Sequence, residues 1–293
     1  MSKTKLRNIG IVIKQKIPEA NELALLLAEN LKSRGIKVLF AAESQDVCSL
    51  AMGTACASRE ELVEKCDLIL ILGGDGTFIS MARRMVNRSV PLMGINMGTL
   101  GFLTEVKKTE ALTMLNRVLA GTFKLSEHVL LESILMRGGK EIARMVVSND
   151  VVVHKAAIAR IIELETSIND NLVTTMRSDG LIVSTPMGST AYSLAAGGPV
   201  IEPSVPALVI TPICPHSLTL RPIVVDNHAR ISIKVRNSTE SVVTWDGQTS
   251  HSLQLGDDIL VRKYYKHNLQ VIHSNDRNYY GVLREKLKYG YRD

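Results

Sequence analysis

The stretch GGDGT at residues 73–77 constrains this chain more than any other. It follows the run 67–72, which is typical of a buried strand, and precedes residues 78–84, which indicate a helix start. A glycine turn between a strand and a helix brings free backbone N–H groups close to a bound anion. Asp75 would repel phosphate there, so its carboxylate favours metal handling or proton abstraction from a hydroxyl during phosphoryl transfer. A structural alternative fits the same sequence, namely a tight loop in which Asp75 is only a turn or cap residue.

The first part of the chain alternates short apolar runs with helical patterns. Strands are predicted at residues 8–13, 37–40, 68–72 and 91–95, and helices at residues 20–31 and 109–119. Alternation of this kind predicts a parallel sheet covered by helices. We therefore expect an α/β N-terminal domain over residues 1–125.

After about residue 125 the pattern changes to many short strands separated by turn residues. The runs 130–136 and 141–147 flank the sequence RGGK at 137–140, which is a hairpin signal. Further strands are predicted near residues 151, 161–167, 172–176, 181–184, 207–210, 231–235, 242–245 and 259–261. This pattern predicts a β-rich domain over residues 126–275. We expect the tail, 276–293, to pack back on the first domain.

Composition and charge exclude several classes of protein. The chain has 293 residues and a net charge of +6, but its basic residues are dispersed and not interleaved with aromatics. This argues against a nucleic-acid partner and suits phosphorylated small molecules. No apolar run is long enough to span a membrane and no signal peptide is evident, so we expect a cytoplasmic location without a membrane partner. The cysteines at 48, 56, 66 and 214 form no C-x-x-C pair and are expected to be free thiols.

Three further segments combine glycine with short polar side chains. The glycine-rich segment 94–103 follows a predicted strand, where open α/β sheets bind ligands. The pair Asn149-Asp150 suits a vicinal diol such as a ribose, although a turn or helix cap explains it as well. Segment 177–199 holds too many glycine and hydroxyl residues to fill a core, and it fits a backbone-lined pocket. In the turn 245–248, Asp246 and Gly247 are interpreted as an ordinary hairpin.

Taken in this order, the motifs resemble the bacterial NAD kinase family. The match rests on GGDG, G-I-N-x-G-x-L-G-F-L, the Asn–acid pair, S-D-G-L-I-V-S-T-P, G-S-T-A-Y-S-L-x-A-G-G-P and D-G-Q, over roughly residues 8–273. The resemblance implies a Rossmann-like α/β N-terminal domain, an all-β, sandwich-like C-terminal domain, and a homodimer or homotetramer. It also implies ATP-dependent phosphorylation of NAD at the adenosine ribose 2′-hydroxyl to give NADP. The reaction is expected to use a divalent metal cation, with Mg²⁺ as the first candidate.

The resemblance implies roles for individual residues. Asp75 matches the family's proposed catalytic base, which orients and deprotonates the 2′-hydroxyl, and Asn149 and Asp150 match the pair that holds the adenosine ribose. The other implied NAD-binding positions are Gly76, Arg160, Arg177, Asp179, Thr190, Ala191, Tyr192, Ser193, Leu194, Ala195 and Gln248. The implied phosphate-loop positions are Gly73, Gly74, Gly76 and Gly98.

Three positions depart from the family pattern. Asp150 stands where the family usually has Glu, Met187 where it usually has Thr, and Ser80 where many members carry a basic residue. The central acid is retained, so these departures bear on the ribose contacts and the phosphate donor and leave the reaction class intact.

Two other functions fit parts of the pattern. A lipid or sugar-phosphate kinase can carry a related glycine loop, but this chain shows no amphipathic stretch suited to a membrane. A dinucleotide-sensing regulator can be built on the same fold, but it would tolerate loss of Asp75 or of the glycine loops. Both features are present here, which favours the enzyme.

Overall fold

The computed structural model describes residues 6–51, 53–156, 160–237, 240–274 and 277–288. They form two compact units: one contains the residues up to Glu127 and those from Leu269 onward, and the other contains His128 to Asn268. Within the described ranges, no helix has the length and apolar character needed to cross a membrane.

The first unit is built on an eight-stranded sheet flanked by helices. Numbered in chain order, its strands are β1 (Asn8–Ile13), β2 (Lys37–Ala41), β3 (Ala55–Ala57), β4 (Leu68–Gly73), β5 (Leu92–Asn96), β6 (Val106–Lys107), β7 (Lys124–His128) and β20 (Leu269–His273). Its helices are α1 (Pro18–Lys32), α2 (Gln45–Leu50), α3 (Arg59–Lys65), α4 (Asp75–Ala82), α5 (Ala111–Leu119) and α7 (Tyr279–Leu287). The strand order is β3-β2-β1-β4-β5-β20-β7, with β6 beside β5, and β1 to β5 pair in parallel.

The central strands are largely apolar, as expected where helices cover both faces of a parallel sheet. Every residue of β4 is buried. The buried side of α1 runs from Ala20 through Leu27 to Leu31 and packs on one face of the sheet. The predicted α/β class is confirmed. Strand β3 and helix α3 were not predicted, although the capping box between Ser58 and Glu61 is a sequence signal for α3.

Strand β20 corrects the predicted boundary at residue 275. The sequence analysis placed this segment in the β-rich domain, but β20 pairs in parallel with β5, Val271 lying opposite Leu92. Its apolar side chains continue the buried core of the first sheet. His273 at its end contacts Glu105 (Nδ1 to Oε1, 3.1 Å) and the Ser126 hydroxyl. The chain thus returns to the first unit before the tail begins.

The structure also corrects the expectation of four free thiols. Cys48 and Cys56 form a disulfide between α2 and β3, with their Cα atoms 6.3 Å apart. Cys66 and Cys214 are free, as expected. Burial raises the pKa of the Cys66 thiol to about 12, which leaves it protonated and unreactive.

The second unit consists of two six-stranded antiparallel sheets. Sheet I has the order β15-β14-β13-β10-β17-β18, and sheet II the order β12-β11-β16-β19-β8-β9. The strands of sheet I are β10 (Asp150–Lys155), β13 (Gly180–Ser184), β14 (Ala207–Ile213), β15 (Ile223–Asp226), β17 (Ser241–Trp245) and β18 (Thr249–Leu253). Those of sheet II are β8 (Leu131–Arg137), β9 (Lys140–Val147), β11 (Ile162–Ile168), β12 (Asn171–Ser178), β16 (Ile231–Val235) and β19 (Asp258–Lys263).

The core of the second unit lies between the two sheets. Val151 and Trp245 of sheet I and Leu164 and Ile259 of sheet II belong to one buried cluster. Strand residues on these inner faces alternate with residues on the outer faces, as the period of two requires. The predicted all-β, sandwich-like class is confirmed. The predicted hairpin is present too, since β8 and β9 are joined at residues 138–139.

Candidate functional site

The carboxylate of Asp75 holds the segment 102–104 through four hydrogen bonds. Its Oδ2 accepts from the Phe102 N–H (2.8 Å), and its Oδ1 accepts from the N–H groups of Leu103 and Thr104 (both 3.1 Å). The Thr104 hydroxyl donates the fourth bond, to Oδ1 (3.1 Å). Asp75 follows β4 and the held segment follows β5, and these strands are parallel neighbours. The two glycine-rich motifs of the sequence therefore form one site at one edge of the sheet.

Three glycines leave the space that this arrangement needs. A Cβ atom on Gly101 would lie 1.9 Å from Asp75 Oδ1, and one on Gly94 would lie 2.7 Å from the Leu103 carbonyl oxygen. A Cβ atom on Gly73 would lie 2.7 Å from the hydroxyl oxygen of Thr77. Larger residues at these positions would push the carboxylate or its loop out of place.

Gly74, Gly76 and Gly98 are different. Among the described residues, nothing lies within 4 Å of the Cβ atom that each would carry. None of the three has a positive φ, so neither packing nor backbone strain requires glycine there. Gly74 is the N-terminal cap position of α4 and its carbonyl accepts from the Phe78 N–H. Open space beside the backbone at a helix start suits a phosphate group.

A second carboxylate, that of Asp246, holds the segment 148–150 in the same way. Its Oδ2 accepts from the N–H (3.0 Å) and the hydroxyl (3.2 Å) of Ser148. Its Oδ1 accepts from the N–H groups of Asn149 (2.7 Å) and Asp150 (3.1 Å). The sequence analysis interpreted Asp246 as an ordinary hairpin residue, and that interpretation is incomplete. The turn exists, but its carboxylate binds the predicted ribose pair.

Polar groups gather on the outer face of sheet I. Asp150 and Ser184 lie opposite each other on β10 and β13, and their neighbours Val151 and Val183 face the core. Asp150 and Ser184 are 5% and 0% exposed. The atoms Ser184 Oγ and Asn149 Oδ1 are buried without a hydrogen-bond partner among the described residues. Because buried polar atoms nearly always have a partner, both atoms are available to the polar groups of a ligand or to ordered water.

The acidity of Asp150 is strongly altered. Burial raises the pKa of its carboxyl group to about 7, and the negative charge of Asp246 contributes to the increase. At neutral pH a large share of this group is protonated, so it can donate a hydrogen bond as well as accept one.

The hydroxyl-rich segment that follows β13 covers the same face. It forms a 3₁₀ turn, Met187–Thr190, and the short helix α6, Tyr192–Ala195. The Ser193 hydroxyl contacts that of Thr211 on β14 (2.8 Å), and a Cβ atom on Gly188 would lie 2.2 Å from the Asn149 carbonyl oxygen. The segment is thus packed closely over Asn149.

The structure places the other residues of the predicted nucleotide site as follows. Asp179 forms an ion pair with Lys155 (2.6 Å), and Met187, one of the departures from the family pattern, is buried. Thr190, Ala191 and Leu194 are half-buried, whereas Arg160, Arg177, Tyr192, Ala195 and Gln248 are exposed. Ser80, another departure, receives a hydrogen bond from the guanidinium of Arg59, so a positive charge contacts this position.

The described residues do not build a metal centre by themselves. Nowhere among them do three or more His, Cys, Asp or Glu side chains gather in a way that could hold a metal ion. Mg²⁺ is commonly bound by one or two carboxylates together with the phosphates of a substrate. Carboxylates among the described residues would therefore suit a divalent cation that also binds the phosphates of a substrate.

Comparisons with known proteins agree with this geometry. Family models described as the ATP-NAD kinase N-terminal and C-terminal domains match residues 9–123 and 148–274. The curated relatives named NAD kinase include that of Geotalea daltonii, 44% identical over 98% of this chain and 100% of the relative. Another is that of Geobacter sulfurreducens, 41% identical over 98% of this chain and 100% of the relative.

Two solved structures are similar to this chain. Yeast NADH kinase complexed with NADH has a TM-score of 0.93 and 25% identity, covering 99% of this chain and 90% of that chain. An NAD kinase from Archaeoglobus fulgidus in complex with ATP has a TM-score of 0.75 and 24% identity, covering 95% and 99%, and shares the fold. On the family models and the curated relatives together, the chain belongs to the ATP-NAD kinase family.

Proposed function

We propose that this protein transfers the terminal phosphoryl group of ATP to the 2′-hydroxyl of the adenosine ribose of NAD, giving NADP and ADP. The observation that carries this proposal is the carboxylate of Asp75, set in a glycine turn at a helix start. Membership of the family and the names of the relatives support the substrates.

The hydrogen bonds of Asp75 suggest which of its oxygens acts. Among the described residues, three of the four bonds go to Oδ1, and Oδ2 accepts one, from the Phe102 N–H. A carboxylate offers about four lone-pair sites over its two oxygens, so Oδ2 retains capacity for a substrate hydroxyl. Asp75 would orient the 2′-hydroxyl through Oδ2.

A carboxylate is a weak base, but phosphoryl transfer does not need a strong one. Its transition state is loose in most analyses, so the proton can leave late. As the ribose oxygen bonds to the γ-phosphorus, the bond from phosphorus to the bridging oxygen breaks and ADP departs. The hydroxyl proton passes to Asp75. The backbone at Gly74, Gly76 and Gly98 would receive the phosphates, and a cation bound to ATP would supply further positive charge.

In this proposal, groups of the second unit also bind NAD. Asn149 and Asp150 would hold the ribose, and the segment 190–195 would enclose the nucleotide with the exposed ring of Tyr192. The further contacts in this proposal are Arg160, Arg177, Asp179 and Gln248. Their support is the match of these positions to the family pattern and the orphaned polar atoms beside Asn149.

The proposal is tested by incubating the protein with NAD, ATP and Mg²⁺ and assaying NADP with an NADP-specific dehydrogenase. We expect NADP to form, and an NAD analogue without the adenosine 2′-hydroxyl to give no product. NAD alone should also stabilise the fold, by about 2.7 kcal/mol at one hundred times its Kd. Phosphorylation of a lipid or a sugar phosphate in place of NAD would overturn the proposal.

A further inference from the structure

We propose that Asp246 is a positioning residue for NAD binding, which aligns the Asn149–Asp150 pair so that the Asp150 carboxyl donates a hydrogen bond to the ribose. This inference rests on the proposed function, because it states how that site takes its substrate. Asp246 itself is not required to touch NAD.

The alignment follows from the pattern of bonds. Asp246 accepts from three successive N–H groups and one hydroxyl, so the backbone of 148–150 has little freedom to turn. The contact is reciprocal, because the Asp246 N–H donates to the Asp150 carbonyl (3.0 Å). Asp246 has a φ of 51°, in a turn that follows the fully buried Trp245. The left-handed backbone at Asp246 and the buried side chain of Trp245 together fix the direction of the Asp246 carboxylate.

The protonation of Asp150 follows from its surroundings. Ser184 faces it from β13 and carries no charge, and Thr185, which follows, bonds to the Ser148 carbonyl. From the turn after β17 comes Asp246, the one charged group in the described chain that shifts this carboxyl. Four donors favour the ionised form of Asp246, so a proton is better held by Asp150.

Bound NAD would strengthen this preference. The nucleotide would cover the small part of Asp150 that still reaches solvent and would bring negatively charged phosphates nearer. Both effects disfavour a second carboxylate beside Asp246. A protonated Asp150 instead donates its O–H to a ribose oxygen, and Asn149 Oδ1, buried without a partner, accepts from a ribose hydroxyl.

The test measures the Kd for NAD by calorimetry and the KM for NAD by kinetics between pH 5.5 and 8.5, on the full-length protein. For the wild type we expect a constant Kd below pH 6 and a rise of about tenfold for each pH unit above 7. Asp150→Asn keeps a neutral donor at every pH, so its Kd should not vary. Asp246→Asn should raise the Kd several-fold at pH 6. It should also lower the pH at which the Kd begins to rise, which we call the break in the profile.

The matched control is Asp257→Asn. Asp257 is another buried carboxylate in a turn of the second unit, bound by the Gln254 N–H and by Arg137, and it directly precedes β19 of sheet II. This variant should lower the melting temperature and leave the pH profile of NAD binding unchanged. A profile shift in Asp257→Asn equal to that in Asp246→Asn would overturn the proposal.

Two further results would also overturn it. One is a Kd of Asp246→Asn that depends on pH as in the wild type, and the other is a Kd of Asp150→Asn that still rises above pH 7. If Asp246→Asn does not fold, Asp150→Asn decides alone, because loss of the break supports the proposal and its persistence refutes it. Failure of the proposed function gives a different result, namely no NADP from the wild type at pH 6. The two failures are therefore distinguishable.

Discussion

Asp75 in the first unit and Asp246 in the second use the same device in different ways. Each carboxylate accepts from three successive backbone N–H groups and from one hydroxyl, of Thr104 in one case and Ser148 in the other. Asp75 begins a helix, and its Oδ2 can still accept a hydrogen bond from a substrate. The carboxylate that holds the loop is therefore also the group that we propose reacts. Asp246 lies in a hairpin turn and holds its neighbours, so the holding group and the ligand-binding groups are separate.

One residue type therefore serves two tasks in this protein. A carboxylate saturated by donors is a rigid anchor for a loop, and its own chemistry is then limited to whatever oxygen remains available. Where the ligand needs a proton donor, as we infer for Asp150, the anchor acts from beside it through its charge. Substitutions at these residues separate the holding role of each carboxylate from reaction and from ligand binding.

The largest effect is expected from Asp75→Asn, because an amide cannot accept the hydroxyl proton. We expect kcat to fall by about 10² to 10⁴, with a much smaller change in the affinity for NAD. The control is Thr104→Val, which removes one donor to Oδ1 and leaves the carboxylate in place. It should cost about 1 kcal/mol of stability and little turnover.

Melting curves must accompany these rates. An asparagine at position 75 points its amide N–H group toward backbone N–H donors, which repel it. The loop should therefore be destabilised more than when Asn replaces Asp at an ordinary helix cap. Near-normal turnover in a folded Asp75→Asn, or an equal loss in Thr104→Val, would assign Asp75 to the anchoring role alone.

The second effect is on stability, through Asp150→Asn. The pKa of Asp150 is raised from 3.8 to about 7 in the folded protein, so the native state binds its proton more tightly than the unfolded state. The contribution of Asp150 to stability is full below pH 4 and is lost as the pH rises to 7. Between pH 4 and pH 7, the free energy of unfolding of the variant should therefore increase relative to that of the wild type, by roughly 4 kcal/mol at most. Chemical unfolding at pH 4, 6 and 8 checks it, and a constant difference would contradict it.

The third effect separates glycines that pack from glycines that leave room. Gly101→Ala places a methyl group against the Asp75 carboxylate and should cost about 1–3 kcal/mol of stability. Gly98→Ala meets open space and should leave the melting temperature unchanged while it raises the KM for ATP or NAD. Equal losses of stability in the two variants would show that Asp75 does not occupy the space beside Gly101.

The smallest effect is expected from Gly76→Ala. Gly76 lies in the first turn of α4, where alanine favours the helix by up to about 1 kcal/mol. Thermal unfolding without ligand should therefore show a slight gain, whereas ATP should stabilise the variant less than it stabilises the wild type. Undiminished stabilisation by ATP would remove Gly76 from the phosphate site.

The fold class and the first site could be predicted because their signals are local. The GGDG turn lies between a strand and a helix that are its immediate neighbours in sequence. The role of Asp246 could not be predicted, because its partners are 96 to 98 residues away and meet it only when β17 pairs with β10. Ser184 escaped notice for the same reason, since its neighbour Asp150 lies across a strand pair.

Strand β20 shows the same limit at the level of the fold. No strand was predicted at residues 269–273, and nothing local shows which sheet this segment joins. That choice depends on the edge of β5, which offers a parallel partner to a segment far along the chain. Local patterns identify elements, and tertiary pairing assigns them.

Hydrogen exchange of the backbone amides measures whether each carboxylate holds its own loop. In the wild type without ligand, the amides of residues 102–104 and 148–150 should exchange slowly. Asp75→Asn should lose protection at 102–104 alone, and Asp246→Asn at 148–150 alone. Full protection of both loops in both variants, or loss spread evenly over either unit, would contradict the account.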